Sequence, residues 1–393
     1  MTQQGRPRVL MALGAYYPEM SGGGLQAREL IRRLRDRVDF TVVTTSSTTD
    51  ESTEIDGVPV HRIRIDPASA VSRAGGLLRF ARLMPALGRA AGVVHLQSVS
   101  QKNLLLTLAA RLFGAPLLLT LHTGGHDDAE RMREEDPWSF RAMQRADAIT
   151  AVSPALLESA KRAGLHATLQ WIPNGVDVER FRPPADGERQ EIRRALGLPV
   201  DKTLILFVGF FSRDKGAHRL FDAWQRLSAP LRERSTIVFL GQTEPPHPEI
   251  DPSLATEIRE RAAYAEAAPI FVERSFEAER YYQAADVFAL PSIREGFPVA
   301  LLEAMAVGLP VVSSHLTGST DVVITDRANG MLVPPGDIDA LAGGLRHLLC
   351  NPGTAALLGA AARSTIVESF SLDGAAQAYL NLYSALSTRG SAS

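Results

Sequence analysis

A chain of 393 residues is too long for one ordinary hydrophobic core and calls for two domains. With 45% hydrophobic and 22% charged residues its composition is that of a soluble globular protein, and a net charge of −2 gives no global attraction to nucleic acid or membrane. The single cysteine, Cys350, excludes an intramolecular disulfide and a cysteine-based zinc framework, which suits a reducing cytoplasm.

The N-terminal stretch RVLMALGAYYPEM runs into Pro18 and Glu19 where a signal-peptide cleavage region would lie, so it reads as a first strand. Further strand candidates are 40–45, 59–65, 93–97, 116–122, 148–153 and 168–174, with helical patterns at 25–37 and 154–163 among them. Residues 104–121 are apolar enough to resemble a membrane span. Arg111 and the Gly114-Ala-Pro116 break make them a buried helix, a turn and a strand instead. The stretch FRPPADGERQ (181–190), rich in Pro, Gly and charge, marks a domain boundary. Strand candidates then resume at 203–210, 235–241, 269–274, 287–292 and 310–314, with a helix at 216–228. A last amphipathic helix, 374–388, has no strand after it. Alternation of near-continuous apolar strands with helices means parallel sheets buried on both faces, and the strands are too many for one sheet. The fold class is α/β, with two doubly wound Rossmann-like domains over 1–185 and 186–373.

Chemistry gathers at a few places. Gly22, Gly23 and Gly24 follow the first strand and precede a helix, where glycine lets a ligand approach and free N–H groups at the helix start meet an anion. Neither G-x-G-x-x-G nor G-x-x-x-x-G-K-[ST] occurs. His122 ends a strand candidate, at the carboxyl edge of its sheet. His126 follows four residues on, but Gly124-Gly125 argues against a zinc helix, so a site histidine without metal is the better reading. Arg213 and Lys215 lie between a strand and a helix beginning near Gly216, an arrangement that makes a phosphate site. Asp337 and Asp339 follow Pro-Pro-Gly and read as a helix cap. In REGFPVALLEAMAVGLPVV, Glu295 precedes Gly296, Phe297, Pro298 and Val299, and Glu303 sits in the second turn of the helix that follows. Helical side chains lean back toward the N-terminus, so both carboxylates can meet at one crevice and accept hydrogen bonds from vicinal hydroxyls. Donors at a helix start favour the ionised carboxylate, whereas a hydrolytic pair needs one acid raised in pKa. A sugar nucleotide fits this pattern better than a scissile glycoside.

These segments, together with ADAITAVSPALLESAKRAG, IPNGVDVERFRP and ANGMLVPPGD, resemble the GT-B retaining glycosyltransferases of the large bacterial family 4 over nearly the whole chain. The resemblance implies an N-terminal acceptor-binding domain and a C-terminal donor-binding domain facing an interdomain cleft, with the C-terminal helix packing back on the first. It implies that Glu303 binds the donor ribose, and that Glu295 with the backbone of Gly296 to Val299 holds the donor sugar. Lys215 contacts the diphosphate, His122 sits by the transferred sugar, and Gly23 or Gly24 closes over the phosphates. The family often has Arg where this chain has Phe210, and Arg213 is the candidate replacement. Asp321 stands where a Glu is common.

The expected reaction moves a sugar from a nucleotide diphosphate sugar, UDP- or GDP-linked in preference to ADP-linked, to an acceptor hydroxyl with retention. No cofactor or metal is called for. The alternatives are an epimerase or hydrolase of the same architecture, and a non-catalytic sugar-nucleotide binder. Between Pro67 and Ala115 lie Arg73, Arg79, Arg82, Arg89, Lys102 and Arg111 and no acid, with Leu77, Phe80, Met84 and Leu87 at helical spacing. That segment is either an ordinary helix packed on its sheet or a peripheral contact with the inner membrane face.

Overall fold

The computed structural model describes residues 5–19, 22–46, 49–66, 69–98, 107, 110, 112–124, 127–244, 249–263, 268–273 and 275–390. The chain divides into two compact units: one runs to Gly175 and resumes at Leu372, and the other is Val176–Ser371.

The first unit is built on β1 (Arg8–Leu13), α1 (Gly22–Leu34), β2 (Asp39–Ser46), β3 (Glu51–Ile55), β4 (Val58–Arg64), α2 (Ala70–Ala90), β5 (Val93–Gln97) and β6 (Leu117–Leu121). It continues with α3 (Ala129–Glu135), α4 (Pro137–Met143), β7 (Ala148–Ala151), α5 (Pro154–Arg162) and β8 (Thr168–Trp171). The sheet order is β3-β4-β2-β1-β5-β6-β7-β8, parallel except for the β3–β4 pair. From β1 the chain winds one way to β2 and β4 and the other way to β5–β8, so the direction reverses between β1 and β5. The hairpin β3–β4 was not read from the sequence, although Asp56-Gly57 signals it. Both residues have positive φ, 54° and 77°, as a two-residue hairpin turn requires.

Ser69 caps α2, which lays Gly76, Phe80, Met84 and Gly88 inward. A Cβ at Gly88 would lie 2.3 Å from the Phe113 ring, so that helix needs glycine to pack so closely. Leu77, expected on the buried face, is 48% exposed and lies outside it. The side chain of Arg73, Lys102 and Arg111 lie outside the described residues, as do most of positions 99–111. Among the described residues no helix is long and apolar enough to cross a membrane.

In the second unit come α6 (Glu188–Ala195), β9 (Thr203–Val208), α7 (Ala217–Gln225), α8 (Ala229–Glu233), β10 (Ser235–Leu240), α9 (Pro252–Ala262) and β11 (Ile270–Val272). These are followed by α10 (Ala278–Ala284), β12 (Val287–Leu290), α11 (Val299–Ala306), β13 (Val311–Ser314), β14 (Met331–Val333), α12 (Ile338–Cys350) and α13 (Pro352–Ser369). The sheet order is β11-β10-β9-β12-β13-β14, with every pair parallel and the reversal between β9 and β12. Its core joins Phe207, Phe211, Phe221, Trp224 and Phe239 to Leu345 and Leu348.

The boundary lies ahead of the Pro-rich stretch rather than within it. Val176 donates its N–H to the Phe370 carbonyl at 3.0 Å, the Arg363 guanidinium reaches the carbonyls of Phe181 at 3.3 Å and Ala306, and Phe181 packs edge-on against Tyr282. Residues 176–185 therefore belong to the second unit. The final helix, α14 (Leu372–Gly390), belongs to the first. Its Ala376, Tyr379, Leu382, Tyr383 and Leu386 share a core with Ala27, Leu30, Ile31 and Leu34 of α1. Asp373 pairs with Arg33 at the rim.

Candidate active site

In the second unit, β9 and β12 are direct neighbours (Val287 beside Ile205, Phe288 beside Leu206), and their carboxyl ends flank the reversal of strand order. Doubly wound sheets bind ligands at this position, because loops leaving in opposite directions open a crevice there. Loop 209–216 and loop 291–298 are locked together across it. Gly216 has φ 79°, and a Cβ there would stand 2.5 Å from the Pro291 carbonyl oxygen, so no other residue fits. Ile293 donates its N–H to the Asp214 carbonyl at 2.9 Å, and Arg294 pairs with the Asp214 carboxylate at 2.8 Å.

Within this frame the Lys215 ammonium meets Glu295 Oε2 at 2.7 Å, while the Ser292 hydroxyl donates to Oε1 at 2.7 Å. The Glu295 side chain is only 7% exposed and that of Lys215 27%. A lysine held by one carboxylate keeps two more N–H donors for an anion. Gly296, Phe297 and Pro298 are buried, and the Phe297 ring packs on Phe370 at 5.7 Å. Phe297 thus anchors the loop through its ring. Pro298 is the N-cap of α11 and supplies no side-chain cap, so the first-turn N–H groups from Val299 face the end of that loop without one.

Glu303, on the same helix, is half-buried and accepts the Tyr282 hydroxyl at 2.6 Å. Burial, and then the charge of Glu303, push the Tyr282 phenol well above its usual range, so it stays a donor. Sequence reasoning missed Tyr282, since nothing in ERYYQAADVF marks one of its two tyrosines as the partner of a carboxylate twenty-one positions on.

Arg213 does not join this group. Its guanidinium is held by Asp251 at 3.0 Å and Glu257 at 3.1 Å on the α9 side, which also keep it firmly charged. The charge absent at Phe210 is therefore not supplied by Arg213 in this geometry. Asp337 caps α12 through the Ala340 N–H at 2.9 Å, and Asp339 pairs with Arg226, so both acids have structural partners.

In the first unit Gly22, Gly23 and Gly24 form the opening turn of α1 rather than a loop before it. A Cβ at Gly22 or Gly23 would meet nothing within 4 Å, so protein packing does not demand glycine there. His122 follows β6 directly. Its N–H and that of Thr123 donate to Asp127 Oδ2 at 2.8 and 2.9 Å, and Ser98 donates to Oδ1 at 2.7 Å. Its Nε2 meets Gln97 Oε1. Burial lowers the His122 pKa against the opposing pull of Asp127, so the ring is neutral. His126 lies outside the described residues, and among the described ones no three His, Cys, Asp or Glu cluster as a metal would need.

Two family models cover the chain: Glycosyl transferases group 1 over residues 188–365 and Glycosyltransferase Family 4 over 20–180. The D-inositol 3-phosphate glycosyltransferase of Xylanimonas cellulosilytica is 32% identical over 72% of this chain and 69% of its own length. The alpha-maltose-1-phosphate synthase of Mycolicibacterium smegmatis is 27% identical over 96% of this chain and 98% of its own. Among solved structures, Anabaena HepE in complex with UDP and glucose superposes with a TM-score of 0.78 at 19% identity, covering 97% of this chain and 100% of that one. The sucrose-phosphate synthase of Thermosynechococcus elongatus gives 0.79 at 22%, covering 97% and 99%. With two parallel-sheet Rossmann-like units and these relatives, the chain is a GT-B glycosyltransferase and belongs to the glycosyl transferase group 1 family.

Proposed function

We propose that the enzyme transfers a sugar from a nucleotide diphosphate sugar, UDP-linked in preference to GDP- or ADP-linked, to an acceptor hydroxyl with retention of configuration. The observation that carries this reading is the Lys215–Glu295 pair, joined at 2.7 Å beside the N-terminus of α11. In this reading Lys215 and the first-turn N–H groups of α11 neutralise the diphosphate as it departs, and Glu295 accepts hydrogen bonds from hydroxyls of the donor sugar. Glu303, steadied by Tyr282, takes the ribose hydroxyls. The leaving phosphate oxygen accepts the acceptor's proton on the face from which it departs, so the protein contributes position and charge. UDP is preferred because UDP and UDP-glucose are the ligands named for the HepE structures. His122 accepts or donates one hydrogen bond at a substrate hydroxyl, and Gly23 and Gly24 let the phosphates approach α1. Among the described residues none calls for a metal. The enzyme acts in the cytoplasm, and α2, with Leu77 and Leu78 exposed beside Arg79 and Arg82, gives it a peripheral foothold on an anionic leaflet.

A thermal-shift panel of UDP-, GDP- and ADP-sugars tests the donor, since a ligand at 100 times its Kd stabilises by about 2.7 kcal/mol. The UDP-sugars should raise the midpoint most. No shift with any of the three classes would overturn the reading.

A further inference from the structure

A buried polar chain runs from the site histidine back to the C-terminal helix. The carboxamide of Gln97, the last residue of β5, is buried, and its Oε1 meets His122 Nε2. The Gln97 Nε2 lies 3.3 Å from His95 Nε2 and 3.9 Å from the Met11 sulfur, and the sulfur, which can only accept, turns the carboxamide nitrogen to this side. His95 is fully buried; its Nε2 also meets the Thr120 hydroxyl at 2.7 Å, and its Nδ1 meets the Tyr383 hydroxyl of α14 at 2.8 Å. Thr120 in turn meets Thr150 at 2.6 Å and Tyr379 at 3.3 Å.

A carboxamide is asymmetric: its oxygen only accepts and its nitrogen only donates. With its nitrogen turned toward His95 and Met11, its oxygen requires a proton on His122 Nε2. His95, accepting at Nε2, carries its own proton on Nδ1 and gives it to Tyr383. Each ring therefore has one tautomer consistent with its neighbours. Burial of His95 agrees, since it pulls that ring's pKa down to about 3 and keeps it neutral.

We infer that Gln97 is a positioning residue: it fixes His122 as the Nε2–H tautomer, leaving Nδ1 as a hydrogen-bond acceptor, and is itself held in one orientation by His95 and the Tyr383 hydroxyl of α14. The inference rests on His122 being a site residue only for its kinetic consequence; the proton assignment stands apart from it.

The test has two readouts on the whole chain. Long-range proton–nitrogen correlation of histidine-labelled protein reports which ring nitrogen carries the proton, with the His122 signal identified by its loss in His122→Ala. Wild type should show Nε2–H. Gln97→Glu, which still accepts, should keep that signature, whereas Gln97→Leu should show Nδ1–H or a mixture. A wild-type Nδ1–H signature, or one unchanged in Gln97→Leu, overturns the assignment. If Gln97→Leu does not fold, wild type and Gln97→Glu decide it alone. In steady state, Gln97→Leu should lose about tenfold in kcat/KM for the donor, the equivalent of one hydrogen bond lost at the substrate, with the acceptor KM unchanged. A shifted tautomer with undiminished kcat/KM would overturn the positioning role while sparing the proton assignment.

Discussion

The Lys215–Glu295 pair makes opposite predictions for its two halves. Lys215→Ala leaves a Glu295 carboxylate that is 7% exposed with Ser292 as its remaining bonded partner. Stranding one member of a buried pair costs about 3–5 kcal/mol; because Lys215 is 27% exposed, we discount this to about 2 kcal/mol. At about 2–4 °C per kcal/mol for a unit of this size, the midpoint should fall by roughly 4–8 °C. The same change removes a charged donor from the diphosphate, worth about 1.5–3 kcal/mol, or roughly 10- to 150-fold in Kd. Glu295→Gln should behave differently. It keeps a group for Ser292 to bond but releases the ammonium from its counter-charge, so the nucleoside diphosphate alone should bind as well as before or better. The sugar diphosphate should lose the advantage that its sugar confers. Isothermal titration of both ligands against both variants separates these terms. Equal losses for the two ligands in Glu295→Gln, or an unchanged nucleoside diphosphate affinity in folded Lys215→Ala, would refute the assignment.

Tyr282→Phe should raise the donor KM by about fivefold, for the net loss of one hydrogen bond of about 1 kcal/mol to Glu303, with kcat little changed in steady-state assays. Arg213→Ala should leave kcat within a factor of two and the unfolding midpoint nearly unchanged, because its guanidinium serves exposed partners at α9; a large kinetic loss would restore it to the phosphate site. Tyr383→Phe leaves the His95 Nδ1–H buried without its acceptor and should cost about 1–3 kcal/mol in urea unfolding. His95 has its pKa lowered from 6.5 to about 3 on folding, so between those values the unfolded chain binds the extra proton. Stability should therefore fall as the pH drops below 6.5, by up to about 1.4 kcal/mol per unit, and His95→Gln should flatten that slope. In vesicle co-sedimentation at low salt, wild type should bind anionic lipid more than the Arg79→Gln, Arg82→Gln double variant; equal partitioning removes the membrane contact.

Much of the architecture was legible because parallel strands buried on both faces leave apolar runs such as VVHLQ and STIVFL, which became β5 and β10. The apolar runs outlast the strands at their carboxyl ends: His122, Phe210 and Ser292 fall just past them, where a backbone turning into the crevice stops pairing. The edge strand β3, ESTEI, is polar on both faces, so its only signal was the Asp56-Gly57 turn. At the site, Glu295, Lys215 and Glu303 were visible as residue types at loop and helix positions. Their partners were not. Arg213 lies two residues from Lys215, yet its direction is set by Asp251 and Glu257, which only tertiary structure brings near. The Gln97–His95–Tyr383 chain was equally hidden, since VVHLQ reads as plain core strand and Tyr383 lies 288 residues from His95.

The role of Lys215 in sugar transfer is decided by nucleoside diphosphate release, followed with wild type and Lys215→Ala over a panel of UDP-, GDP- and ADP-sugars and hydroxyl acceptors, with the anomeric configuration of the product read by proton NMR. Expected are acceptor-dependent release from a UDP-sugar, a product with the donor's configuration, and a loss of at least about tenfold in Lys215→Ala, the lower bound for a charged hydrogen bond. Release that is undiminished in the folded variant, or a product of inverted configuration, would contradict the proposed function.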